Sequence, residues 1–134
     1  MALRISLLHD MARGMFALHA HLPRAIVHRD LKSLNVLVFE PASGGGRLVG
    51  KIADFGLAHT LSTSTAASTK TKGGQGSAPW MAPEVYDAEY SEKSDVWAFG
   101  MVAFEVIIIP SEVMIIPRSR TCGRSAVAFE VRRR

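Results

Sequence analysis

His28-Arg29-Asp30-Leu31-Lys32-Ser33-Leu34-Asn35 is the stretch whose reading decides the fold. It gathers a carboxylate, an ammonium and an amide into a short span, and the apolar run Val36 to Phe39 follows directly. Downstream stand Asp54-Phe55-Gly56 and then Ala82-Pro83-Glu84. Moving a phosphoryl group requires a proton acceptor, oxygen ligands for magnesium and a cation beside the phosphate. Asp30, the couple Asn35 and Asp54, and Lys32 are residues of those three types.

Working outward, residues 3–21 read as a helix ended by Pro23. Leu8, Met11, Ala12, Met15, His19 and Leu22 recur at helical spacing, with Asp10, Arg13 and His21 off the stripe. Gly14 leaves room for a close contact. His9, His19 and His21 read as structural residues, because no cysteine or carboxylate cluster joins them in sequence. Ile26-Val27-His28 is a short apolar approach to the central loop. Val36–Phe39 and Leu48–Ala53 read as strands joined by a long, glycine-rich hairpin turn. Gly44-Gly45-Gly46 in that turn has the spacing of neither common phosphate-binding loop. Residues 60–77 are rich in Ser, Thr, Gly and Ala and read as a loop. Ser91 to Asp95 supplies a helix start ahead of Val96-Trp97-Ala98-Phe99, and the apolar run through Ile109 predicts a helix buried on every side.

The net charge of +4 comes from 16 Lys and Arg against 12 Asp and Glu. It is not spread evenly. Residues 1–106 are balanced, whereas the tail carries Arg118, Arg120, Arg124, Arg132, Arg133 and Arg134 against Glu112 and Glu130. The basic character therefore belongs to the tail, and nucleic acid is not an expected partner. The single cysteine, Cys122, rules out an internal disulfide and points to a reducing, cytoplasmic setting. The most apolar run, Met101–Ile116, is broken by Glu105, Pro110 and Glu112, so no membrane span is expected. Past Val106 the chain repeats itself: Val102-Ala103-Phe104-Glu105-Val106 recurs as Val127-Ala128-Phe129-Glu130-Val131.

These motifs, in this order and at this spacing, resemble the C-terminal lobe of eukaryotic protein kinases from about Leu3 to Val106. The resemblance implies a mainly α fold with a small β-hairpin, a lobe fragment from which the N-terminal lobe and the last helices of the C-terminal lobe are missing. It divides the chain into a partial kinase domain, 1–106, and an atypical Arg-rich, irregular tail, 107–134. Nothing before His28 resembles a glycine-rich loop, a strand lysine or its partner glutamate.

The resemblance also implies roles. Asp30 accepts the substrate hydroxyl proton, and Lys32 offsets charge at the transferring phosphate. Asn35 and Asp54 hold Mg2+, and Leu37 forms the floor under the adenine of ATP. His28 and Phe55 belong to an apolar column behind the site, and Asp95 bonds the catalytic-loop backbone. Ser77 and Glu84 lie on the substrate side; no arginine partner for Glu84 is identified. Arg29 implies a phosphate on the loop that offers Ser62, Thr63, Ser64, Thr65, Ser68, Thr69 and Thr71. Lys32 with Trp80-Met81 is similar to the tyrosine-kinase-like group, which phosphorylates serine and threonine. Expected partners are a protein substrate, ATP, and another kinase or the missing lobe. A fragment of this kind is expected to be inactive alone. The alternative is a non-catalytic, pseudokinase-like module that regulates by binding protein.

Overall fold

The computed structural model describes residues 1–39, 46–60 and 76–108, together with the backbone alone of 111–117 and 126–133. Helix α1 spans Ala2–His19 and buries Leu7, Leu8, Met11 and Met15. The expected stripe holds at Leu8, Met11 and Met15. Ala12 is exposed, and Leu22, beyond the last helical turn, is 84% exposed. Asp10 is inside, contrary to its expected place off the stripe.

Strand β1 is Ile26–Val27. Strands β2, Val36–Phe39, and β3, Val49–Ile52, form the expected antiparallel hairpin, with Val36 opposite Ile52 and Phe39 opposite Val49. Most of the turn between them, with Gly44 and Gly45, lies outside the described residues. Alternation turns Val36 and Val38 inward. Strand β4, His59–Thr60, pairs with β1 and was not expected from sequence.

Helix α1 packs across β3, where glycine matters. A Cβ on Gly14 would come within 3.1 Å of Ile52 Cδ1. Helix α2, Glu92–Ile107, begins at Ser91, whose backbone N–H donates to Ser94 Oγ at 3.1 Å. That bond satisfies a donor the helix start leaves open. Leu7, Leu8, Met11 and Met15 of α1, Leu31, Val36 and Val38, and Ala98, Val102 and Val106 of α2 make one core. Burying a side chain of this size stabilises the fold by roughly 1.5–3 kcal/mol.

Three expectations give way. Helix α2 is not buried on every side: Val96, Trp97, Phe104, Ile107 and Ile108 are exposed. The tail is not irregular throughout, for Ser111–Pro117 and Ala126–Arg133 are strands β5 and β6, paired antiparallel. Strand β6 also pairs with β2, giving the sheet order β3-β2-β6-β5. The expected small hairpin is thus half of a four-stranded sheet, and the described residues hold two α-helices with small sheets. A β-hairpin presents open backbone groups at its outer edge, and an extended tail can satisfy them.

Candidate active site

The central loop is built around Asp30, between β1 and a 3₁₀ turn at Ser33–Asn35. Lys32 Nζ lies 2.7 Å from Asp30 Oδ2 and donates to Ser77 Oγ at 2.7 Å. Ser77 Oγ in turn donates to Asp30 Oδ1 at 2.8 Å. Asn35 Nδ2 donates to the Asp30 carbonyl oxygen at 2.8 Å and to Asp30 Oδ2 at 3.2 Å. Both carboxylate oxygens of Asp30 are therefore held by cationic or polar donors, and such charge-assisted bonds are the strong ones.

A second carboxylate fixes the loop from below. Asp95 of α2 is 2% exposed. It accepts the backbone N–H groups of His28 at 2.8 Å and Arg29 at 3.0 Å, and its Oδ2 lies 2.9 Å from His19 Nε2. The bond to the loop backbone is the one expected of Asp95. Arg29 sits at φ 69°, a left-handed conformation uncommon for a side-chain-bearing residue. The two N–H bonds to one buried carboxylate hold it there.

His28 is fully buried and joins the loop to Asp54-Phe55-Gly56. Its Nε2 lies 3.1 Å from the Ala53 carbonyl oxygen, and its Nδ1 accepts the Asp30 N–H at 3.4 Å. A carbonyl only accepts and a backbone N–H only donates, so the proton sits on Nε2. The Phe55 ring lies 5.3 Å from His28, centroid to centroid, at a tilted 57°. Ala53 N–H donates to the Asn35 carbonyl oxygen at 2.8 Å. The residue before Asp54 is thereby tied to both His28 and Asn35. Asp54 itself is exposed, at φ 66°, with Oδ1 accepting the Gly56 N–H at 3.3 Å.

The donor set suits a hard cation completed by phosphate oxygens. The Asn35 amide nitrogen is committed to Asp30, which leaves Oδ1 as its oxygen donor; Asp54 adds a carboxylate. Magnesium is bound by one or two carboxylates plus substrate phosphates rather than by an all-protein cage. Among the described residues no group of three or more His, Cys, Asp or Glu could hold a metal ion.

Other predicted residues are less engaged. Leu37 is half-buried on β2. Glu84 forms no ion pair among the described residues, although its carbonyl accepts the Glu89 N–H at 3.1 Å. Ser62, Thr63, Ser64, Thr65, Ser68, Thr69 and Thr71 lie outside the described residues. The Arg29 guanidinium carbon stands 4.8 Å from the centre of the Tyr90 ring. Burial pulls the Arg29 pKa below the usual arginine value, against the opposing influence of Tyr90 and Asp95.

A family model described as protein tyrosine and serine/threonine kinase matches residues 1–116. The chain belongs to the eukaryotic protein kinase family. Among relatives of this kinase chain, the Drosophila melanogaster "Mitogen-activated protein kinase kinase kinase" is 42% identical over 101 residues, 73% of this chain and 8% of the relative. Human "Mitogen-activated protein kinase kinase kinase 10" is 42% identical over 73% of this chain and 10% of its own length. Human "Dual specificity testis-specific protein kinase 1" is 40% identical over 129 residues, 94% of this chain and 20% of the relative. The kinase chain thus spans a fifth or less of these relatives. No helix among its described residues is long and apolar enough to cross a membrane.

Sequence reasoning missed three members of the framework. Glu105 accepts Trp80 Nε1 at 2.9 Å, tying the segment after Ser77 to α2. Its signal was a lone carboxylate in an apolar helix, read only as an interruption. Asp10 accepts both terminal nitrogens of Arg47 at 2.8 Å and the Gly50 N–H at 3.0 Å, locking α1 to β3.

Proposed function

We propose that this chain is the C-terminal, catalytic-loop lobe of an ATP-dependent protein kinase that phosphorylates serine and threonine hydroxyls. The observation that carries the reading is the closed set of bonds among Asp30, Lys32, Ser77 and Asn35. In this reading Mg2+–ATP supplies the transferable phosphoryl group and neutralises its charge. Asp30 takes the proton of the incoming hydroxyl. Lys32, held 2.7 Å from Asp30 and from Ser77, places a positive charge beside the phosphoryl oxygens. Asn35 and Asp54 would hold the metal, and Leu37 would form the floor under the adenine.

Lys32, two residues past Asp30 as in the serine/threonine kinases the chain resembles, supports serine and threonine over tyrosine as acceptors. A phosphate on one of Ser62, Thr63, Ser64, Thr65, Ser68, Thr69 and Thr71 would pair with Arg29. Ser77 and Glu84 belong to the substrate side. The protein substrate meets this lobe in the cytoplasm. The sequence carries neither the glycine-rich loop nor the lysine–glutamate pair that activity requires. Transfer by this chain alone is therefore negligible, and another kinase or an N-terminal lobe must complete it.

Calorimetric titration of the full chain tests the reading. Nucleotide binding should need magnesium, should be lost in Asp54→Ala, and should survive in Asp30→Asn. Binding indifferent to Asp54 and to magnesium would refute it. The exposed apolar face of α2, with Trp97 and Phe104 about half exposed, favours the second reading of a non-catalytic protein-binding module. That reading predicts partner binding with no nucleotide requirement.

A further inference from the structure

Strand β6 lies at a consequential place. It pairs antiparallel with β2 at Leu37 opposite Ala128, Val38 opposite Val127 and Phe39 opposite Ala126. Its backbone also runs against the 3₁₀ turn Ser33–Asn35. Continuing the register carries residues 129–133 past that turn, with Arg132 and Arg133 at the far end of the strand. The outer edge of β2 and the approach to Asn35 are therefore lined by the chain's own C-terminal segment. Leu37 and Asn35 are two of the residues proposed to meet the nucleotide and its metal.

The same five residues, Val-Ala-Phe-Glu-Val, are helical at 102–106 within α2 and extended at 127–131 within β6. Local preference does not dictate the extended form. Pairing with β2 on one side and β5 on the other does, and context of this kind decides strand formation generally. A strand held only by its neighbours can be displaced from them.

We propose that residues 126–133 act as an intramolecular cover, docking as an added strand on the β2 edge and competing with magnesium–nucleotide for the Leu37–Asn35 side of the site. The inference rests on the nucleotide reading above. Strand addition to an open edge is a general docking mode, in which backbone bonds give the affinity.

The test uses the full chain with Val127→Pro, and Ala126→Pro as a second variant at the ladder's end. Proline cannot donate to the ladder and breaks such pairing. Two quantities are read: hydrogen exchange at Leu37–Phe39, and magnesium–ATP affinity by calorimetry. The cover predicts faster exchange at these amides and affinity tightened at least about fivefold, the low end of intramolecular coupling. Faster exchange with unchanged or weaker affinity overturns the cover while leaving the nucleotide reading intact. Unchanged exchange in both variants overturns the docking itself. Absence of metal-dependent binding in every protein overturns both the cover and the nucleotide reading.

Discussion

The two sides of helix α2 behave as different materials. The inner side carries Ala98, Val102 and Val106 into the core and two carboxylates, Asp95 and Glu105, into fixed polar bonds. The outer side shows Val96, Trp97, Phe104 and Ile107 to the surroundings, and a Cβ added at Gly100 would meet nothing within 4 Å. Mean apolarity cannot distinguish the sides, for both are rich in large apolar residues. What differs is whether, among the described residues, a core element lies opposite. The inner side positions the central loop around Asp30; the outer side contributes little to the fold of this chain.

The contrast is broken most severely at Asp95. Replacing it by Ala strands the buried N–H groups of His28 and Arg29 and removes the partner of His19. Removing one member of a buried charged set costs about 3–5 kcal/mol. Denaturant unfolding of Asp95→Ala should register that loss, with faster hydrogen exchange at Arg29. A loss below about 1 kcal/mol would mean that Asp95 does not anchor the loop.

A smaller effect is expected at the other lock on the core, between α1 and β3. The side-chain bond from Arg47 holds the Asp10 carboxyl below the usual carboxylate range, helped by the Gly50 N–H and opposed by burial. A depressed folded value means that the stabilisation is fully present above the unfolded value of about 3.9. It is lost as pH falls through the still lower folded value. Denaturation midpoints should fall more steeply below about pH 4 in the natural chain than in Asp10→Asn. At neutral pH the variant should be less stable by about 1–2 kcal/mol. Parallel acid profiles for the two proteins would remove Asp10 from the account.

The smallest effect belongs to the outer face. Trp97→Gln with Phe104→Gln should change unfolding free energy by no more than about 0.5 kcal/mol per site, while reducing self-association in sedimentation at high concentration. A loss comparable with that of Asp95→Ala would show the outer face to be core after all.

How much of this was legible in the sequence varies by element. Strand β2 was read to the residue, because a short apolar run bounded by polar turns has few alternatives. The place of Asp95 beneath the loop came from motif order rather than from periodicity. The Asp10–Arg47 lock was invisible because its members are far apart in sequence and each is an ordinary surface residue type. Pairing of two-residue strands such as β1 and β4 leaves no periodic trace. The exposed face of α2 was misread because an apolar pattern reports what a helix could bury, not what is present to bury it. The tail was misread because its strand form depends on the edge of β2, which is tertiary context.

The most direct measurement of the central claim replaces magnesium by manganese and follows the full chain by nuclear magnetic resonance as Mn2+–ATP is added. Paramagnetic broadening falls off steeply with distance from the ion. The side-chain amide of Asn35 and the backbone amides of Asp54 and Gly56 should broaden together at substoichiometric ion, and Asp54→Ala should abolish the effect. Broadening of one group without the other, or of neither while residues elsewhere respond, would contradict a single metal–nucleotide site at Asn35 and Asp54.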